Sequence, residues 1–288
     1  MVKLWPLLLL ITVQLVASRF TSHFRRFIVK HHGEEVAKRL ERDDLRVSAV
    51  ASTGGREEYE QTLKHRPIIF VHDLHYTLHY FEPYFRRLRG NGFRSFEMYG
   101  TTYGDGNSPF TTPEKSTDVE ITCDFVKQIR QFIEIVNEYT KSKVDIVAHS
   151  LGSLLARMAV LGGKCPGSDY DIGKPLTDKV HNYISVAGVN YGASTCSWFS
   201  SDHPSCKGPI SMRCDSEAVK KVNAPEKRYE GDNSFALLSW TDVIPIRRCC
   251  GHTCGKLKNA NETLKYTFRT REGIIKASNN EVYQLLLH

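Results

Sequence analysis

The residues best placed to do chemistry lie in one stretch, KVDIVAHSLGSLLARM, Lys143 to Met158. Its first half, KVDIVA, reads as a buried strand. Its second half repeats apolar residues at helical spacing. Ser150 falls at the tip of the tight turn between them. Small residues two before and two after it, Ala148 and Gly152, let neighbouring backbone come close, so that the serine can attack an acyl carbon. The helix beginning at Leu151 would aim its unpaired N–H groups and its dipole at the same spot, which makes the Leu151 amide one donor to an oxyanion. The hydroxyl of Ser150 is expected to perch on a sharp crest and face an open acyl cleft.

A nucleophilic serine needs more partners. A second amide donor is expected from HDLHYT, His72 to Thr77, which follows the apolar run PIIFVH; Leu74 is the candidate. An orienting acid is expected beyond a later strand, and SFALLSWTD places Asp242 there, in the order serine then acid. The base is harder to find. His149 adjoins the serine, but its side chain should point the other way. After Asp242 the histidines are His252, inside CCGHTC, and His288 at the end of the chain. His252 is the candidate base, provided disulfides fold its segment back to the site. His72, His75 and His79 on the oxyanion-side loop read as structural or solvated. No metal or organic cofactor is required by this chemistry.

The elements that must position these residues alternate from Pro67 onward. PIIFVH and KVDIVA are strands buried on both faces, RSFEMYG is a further strand, and HNYISVAG, SFALLSW and LKYTFR complete the set. Thr117 to Ser142 reads as one helix with Ile121, Phe125, Ile129, Phe132, Val136 and Tyr139 on one stripe, and a last helix lies around Asn280 to Leu287. Alternation of this kind implies an α/β fold, a mostly parallel twisted sheet with helices on both faces. Ahead of it, residues 19–64 form a helical prelude and linker in which Phe24, Phe27, Ile28, Val36 and Leu40 recur at helical spacing. The main domain spans 65–288, with a loop-rich excursion over 188–233 that is expected to be tied by disulfides.

Composition narrows the class. The chain has 288 residues, 41% hydrophobic and 25% charged, which suits a globular protein. Its net charge of +7 is scattered rather than gathered into a stripe with interleaved aromatics, so a nucleic-acid partner is not expected. Peripheral contact with an anionic lipid interface is compatible with it. Residues 1–18 carry Lys3, then an apolar run from Leu4 to Val16, then Ala17 and Ser18. That is the layout of a secretory signal, and it implies an extracellular protein.

All eight cysteines, Cys123, Cys165, Cys196, Cys206, Cys214, Cys249, Cys250 and Cys254, suit up to four disulfides of open connectivity. CCGHTC lacks the paired spacing of a zinc site. Asn261, in NET, is a glycosylation acceptor on an expected surface loop.

VDIVAHSLG, together with PIIFVH, ISVAGVNYG and SWTD, resembles the class 2 lipases, secreted α/β-hydrolases that act on acylglycerols and related esters. The prelude and the cysteine-rich later half resemble the disulfide-containing animal branch. The resemblance implies Ser150 as nucleophile, Asp242 as acid, the amides of Leu74 and Leu151 as oxyanion hole, and a lipid ester as substrate. Two positions depart from the pattern. The loop that should carry the histidine, TREGIIKASNNEV, has none, and Gly273 or Glu272 stands in its place. Asp73 replaces the glycine that follows the strand-ending His72, a position where positive φ is expected and where a carboxylate would oppose a developing oxyanion. Two functions compete: a secreted lipid-ester hydrolase, and a catalytically impaired lipase fold that binds lipid or a protein partner.

Overall fold

The structure, a computed structural model, describes residues 19–45, 51–58, 60–74, 76–106, 120–197, 204–239, 248–267 and 271–288. The amphipathic prelude is two helices, α1 (Ser22–His32) and α2 (Glu34–Glu41). Thr21 caps α1, its hydroxyl accepting from the Phe24 amide at 3.2 Å, and Gly33 at φ 92° breaks the run between the two helices. Their inward faces, Phe24, Ile28, Ala37 and Leu40, join the same apolar cluster as Ile69 and Ile146 of the sheet. The prelude is therefore part of the main core.

The strands follow in order: β1 (Ser52–Thr53), β2 (Ile68–Val71), β3 (Met98–Thr101), β4 (Val144–His149), β5 (Val180–Val186), β6 (Asn233–Ser239), the short pair β7 (Arg248–Cys249) and β8 (His252–Thr253), and β9 (Glu262–Tyr266). Seven of them form one sheet in the order β1-β3-β2-β4-β5-β6-β9. Every pairing is parallel except that of β1, which runs antiparallel on the edge beside β3. RSFEMYG enters as a 3-10 turn over Ser95–Glu97 before β3 begins.

Helices α3 (Glu82–Gly90), α4 (Cys123–Thr140), α5 (Leu151–Leu161), α6 (Glu217–Asn223), α7 (Arg271–Ala277) and α8 (Asn279–Leu286) cover the two faces. Alternate strand residues serve opposite sides. Ile69, Val71, Ile146 and Ala148 pack with α1, α2, α4 and α5, whereas Ile68, Phe70 and Val147 pack with α3, α7 and α8. Full burial of such side chains contributes roughly 1.5–3 kcal/mol each, which is why both faces of the central strands are apolar. No described helix is long and apolar enough to cross a membrane.

TREGIIKASNNEV differs from the expected loop. From Arg271 onward it is helix α7 running directly into α8. Buried Ile274, Ile275 and Val282 draw it onto α3, and Ser278 holds the junction by bonding the Ile274 carbonyl and the Tyr84 hydroxyl, each at 2.7 Å. The cysteines pair as Cys123–Cys165, Cys196–Cys206, Cys214–Cys250 and Cys249–Cys254. The CCGHTC cluster is thus a stapled hairpin.

Candidate functional site

Ser150 sits where β4 ends and α5 begins, at φ 51° and ψ −122°. That region is one a side chain enters only under restraint, and the restraints are visible. Its N–H donates to the Val186 carbonyl of β5 at 3.0 Å, and its carbonyl accepts from Ser153 and Val189 at 3.0 and 3.1 Å. Gly152 shows why small residues flank the serine. A Cβ there would come within 2.3 Å of the His72 carbonyl oxygen and 2.6 Å of that of Val71. Only glycine lets the first turn of α5 seat against the end of β2.

The crest is sharp, as expected, but the serine on it does not face an open cleft among the described residues. Ser150 is only 1% exposed, with Leu151 and Leu74 also buried. The residue closing in is Asp73. Its Oδ1 accepts from the Leu74 N–H at 2.8 Å and from the Leu151 N–H at 3.1 Å. These are the two amides expected to hold an oxyanion, and both point at one oxygen. Asp73 does not take the positive φ expected of a glycine replacement; among the described residues the non-glycine positions that do are Arg42, Lys141, Ser150, Ala187 and Cys250.

His72 fixes the backbone beside it. The Tyr103 N–H donates to His72 Nε2 at 3.0 Å, so the ring proton lies on Nδ1, which donates to the Asp73 carbonyl at 2.6 Å. The Tyr103 phenol stacks on the imidazole and donates to the His72 carbonyl at 2.6 Å. Complete burial holds the His72 pKa down at about 3, against only a partial offset from its bond to Asp73. With both nitrogens engaged and the ring neutral, His72 is a strut and not a base. Burial, with the charge of Asp73 adding to it, pushes the Tyr103 phenol well up, so it stays a donor.

The chain matches the family model for lipase (class 2) over residues 65–284. The chain belongs to the class 2 lipase family. Its fold is shared by Bacillus licheniformis lipase BlEst2. In the mature form of that enzyme the identity is 13% and the TM-score 0.53, covering 82% of this chain and 96% of the other. In its propeptide form they are 12% and 0.51, with 79% and 52% covered. Likenesses of this order show the α/β-hydrolase architecture. No curated protein sequence matches.

Of the remaining expected residues, Asp242 and His75 lie outside the described residues, as do 1–18. His252, on the stapled hairpin β7–β8, is exposed, and its ring stacks on Tyr191 at 4.2 Å. It makes no hydrogen bond to Ser150. It does lie at the same end of the sheet, because the Tyr191 N–H donates to the Cys254 carbonyl at 2.7 Å and nearby Val189 bonds the Ser150 carbonyl. His149 is buried with its ring 5.0 Å from that of Tyr80. His288 closes the chain beside His181, whose Nε2 lies 3.4 Å from its carbonyl, remote from the elbow. Gly273 lies within α7.

Sequence reasoning missed a buried support for this end of the sheet. Arg157 of α5 donates to Glu230 at 3.0 Å, to the Val222 carbonyl at 2.8 Å and to the Asn190 carbonyl at 3.2 Å, tying α5 to the excursion over 188–233. Asn190 in turn donates to Ser185 and to the Gly255 carbonyl, both at 2.8 Å, which anchors the stapled hairpin. A lone arginine on an otherwise apolar helix was the available signal. Asn261 is exposed, and its Oδ1 accepts from Arg228 at 2.6 Å and the Ser234 amide at 2.8 Å. All eight cysteines are in disulfides, and the described residues hold no group of histidine, cysteine and carboxylate side chains suited to a metal ion.

Proposed function

We propose that the protein is a secreted hydrolase of lipid carboxylic esters, with Ser150 as nucleophile. The observation that carries this is the convergence of the Leu74 and Leu151 amides on a single oxygen position beside the strained serine. Two backbone donors aimed at one point, one of them at a helix N-terminus, are what a tetrahedral acyl intermediate needs. In this reading Ser150 Oγ attacks the acyl carbon and gives up its proton to an imidazole. The carbonyl oxygen becomes the oxyanion between the two amides. The imidazolium then protonates the departing alcohol, and water hydrolyses the acyl-enzyme by the same route in reverse. Asp242 is assigned as the orienting acid and His252 as the imidazole. Shared position at the carboxyl end of the sheet supports His252, whose stacked ring must leave Tyr191 to reach Ser150. The scaffold needs no cofactor. Four disulfides and the layout of residues 1–18 support secretion, and exposed Asn261 supports glycosylation.

A second reading is favoured by α7, whose helical course replaces a histidine-bearing loop. On that reading the fold binds lipid or a protein partner without turnover. One assay separates the two. A short-chain nitrophenyl ester is offered to the full chain, to Ser150→Ala and to His252→Ala. Loss of turnover in both variants supports the assigned pair, since loss of such a member costs roughly 10⁴ to 10⁶ in turnover. Turnover that survives Ser150→Ala removes the elbow from the mechanism. Absence of turnover in all three supports binding without chemistry.

A further inference from the structure

The oxygen between the Leu74 and Leu151 amides belongs to the protein itself. Asp73 Oδ1 receives both bonds, at 2.8 and 3.1 Å, and Leu151 is its partner across 78 positions of sequence. A carboxylate oxygen there has the charge and the size of the oxyanion those amides would otherwise stabilise. We propose that Asp73 is a built-in occupant of this anion site and holds it closed against external anionic oxygen. The inference rests on the reading of these two amides as an oxyanion hole.

Two further features fit such a latch. The main chain at Asp73 is fixed, because His72 Nδ1 donates to its carbonyl and Tyr103 clamps His72 from both the Nε2 and the carbonyl side. Asp73 is half-buried, whereas Ser150, Leu74 and Leu151 around it are buried. Rotation of one carboxylate would vacate the site without moving the strand or the helix. Because Asp73 lacks a positive φ, a glycine there is not needed by the backbone, and the carboxylate is the feature the position supplies.

The test uses backbone amide NMR of the full chain, Asp73→Gly and Asp73→Asn, with acetate as the external anion. In Asp73→Gly the Leu74 and Leu151 resonances should move upfield, and their protection from hydrogen exchange should fall about tenfold or more, since bonds to a charged acceptor are the strong ones. Acetate should then move both resonances back toward the wild-type positions, while the wild type stays unresponsive over the same acetate range. Asp73→Asn keeps the shape with a neutral, weaker acceptor and should shift the same two amides less. It serves as the decisive form should the glycine variant fail to fold. Unchanged amides in both variants, or a wild type that responds to acetate as readily as Asp73→Gly, would overturn the proposal.

Ester hydrolysis by the same samples separates this inference from the reading beneath it. Asp73→Gly that takes up acetate and hydrolyses the ester faster than wild type supports both. Asp73→Gly that takes up acetate and hydrolyses nothing supports the latch and counts against the serine hydrolase.

Discussion

Replacing Ser150 by glycine should stabilise the fold relative to replacing it by alanine. At φ 51° and ψ −122° the serine occupies a region natural to glycine and costly for any residue with a Cβ. The chain cannot relax out of it locally. The Ser150 amide is held by Val186, its carbonyl by Ser153 and Val189, and the next turn of α5 is seated against β2 through Gly152. Strain of this kind costs on the order of 1–3 kcal/mol, and glycine gives back roughly 0.5–1 kcal/mol through its extra freedom when unfolded. Both variants lack the hydroxyl, so its contacts cancel in the comparison. The net expectation is that Ser150→Gly exceeds Ser150→Ala by about 0.5–2 kcal/mol, or a few degrees in Tm for a chain of this size. Urea unfolding with the disulfides intact reads the difference directly, provided both variants share one m-value. A glycine variant no more stable than the alanine variant would mean that the elbow stores no strain, and that Ser150 is not held on a forced crest.

Three other outcomes are expected. Gly152→Ala must displace α5 from the end of β2, since its Cβ would lie 2.3 Å from the His72 carbonyl oxygen; a loss of about 1–3 kcal/mol in urea unfolding is expected, and wild-type stability would contradict the packing. His72 has its folded pKa lowered to about 3, so its contribution to stability is present above about 6.5 and is lost as pH falls toward 3. His72→Gln should therefore flatten the acid limb of the stability profile, and equal slopes would count against a buried neutral imidazole. Asp145 behaves in the opposite sense: burial raises its carboxyl to about 6, against the pull of Arg66 and the Asn182 amide, so its cost grows as pH rises from about 4 through 6. Asp145→Asn should gain on the wild type across that interval by up to about 3 kcal/mol, measured by urea midpoints, and a constant difference would refute the shift.

The features legible in the sequence are those set by neighbouring residues. The strand, turn and helix around Ser150 follow from an apolar run, two small residues and helical spacing, all within one short stretch. The central strands were readable because burial on both faces leaves mostly apolar runs: Ile68–Val71 is wholly apolar, and Val144–His149 is apolar but for Asp145 and His149. The Leu151 amide was an expected donor because a helix start exposes unpaired N–H groups, and the Leu74 amide because the resemblance to the lipases places a second donor after the first core strand.

Other outcomes needed three dimensions. The prelude breaks at Gly33, held at φ 92°, and TREGIIKASNNEV folds as helix because packing on α3 outweighs its weak local signal. Disulfide partners depended on which loops the sheet brings together. The decisive case is Asp73. Its type and position were plain in the sequence, and its opposition to an oxyanion could be anticipated. That its oxygen would lie within bonding distance of two amides, one adjacent and one 78 positions away, was decided only when β2 and β4 paired side by side and set the start of α5 against the end of β2. A side-chain hydrogen bond is a matter of tenths of an ångström, and no spacing along a chain encodes that.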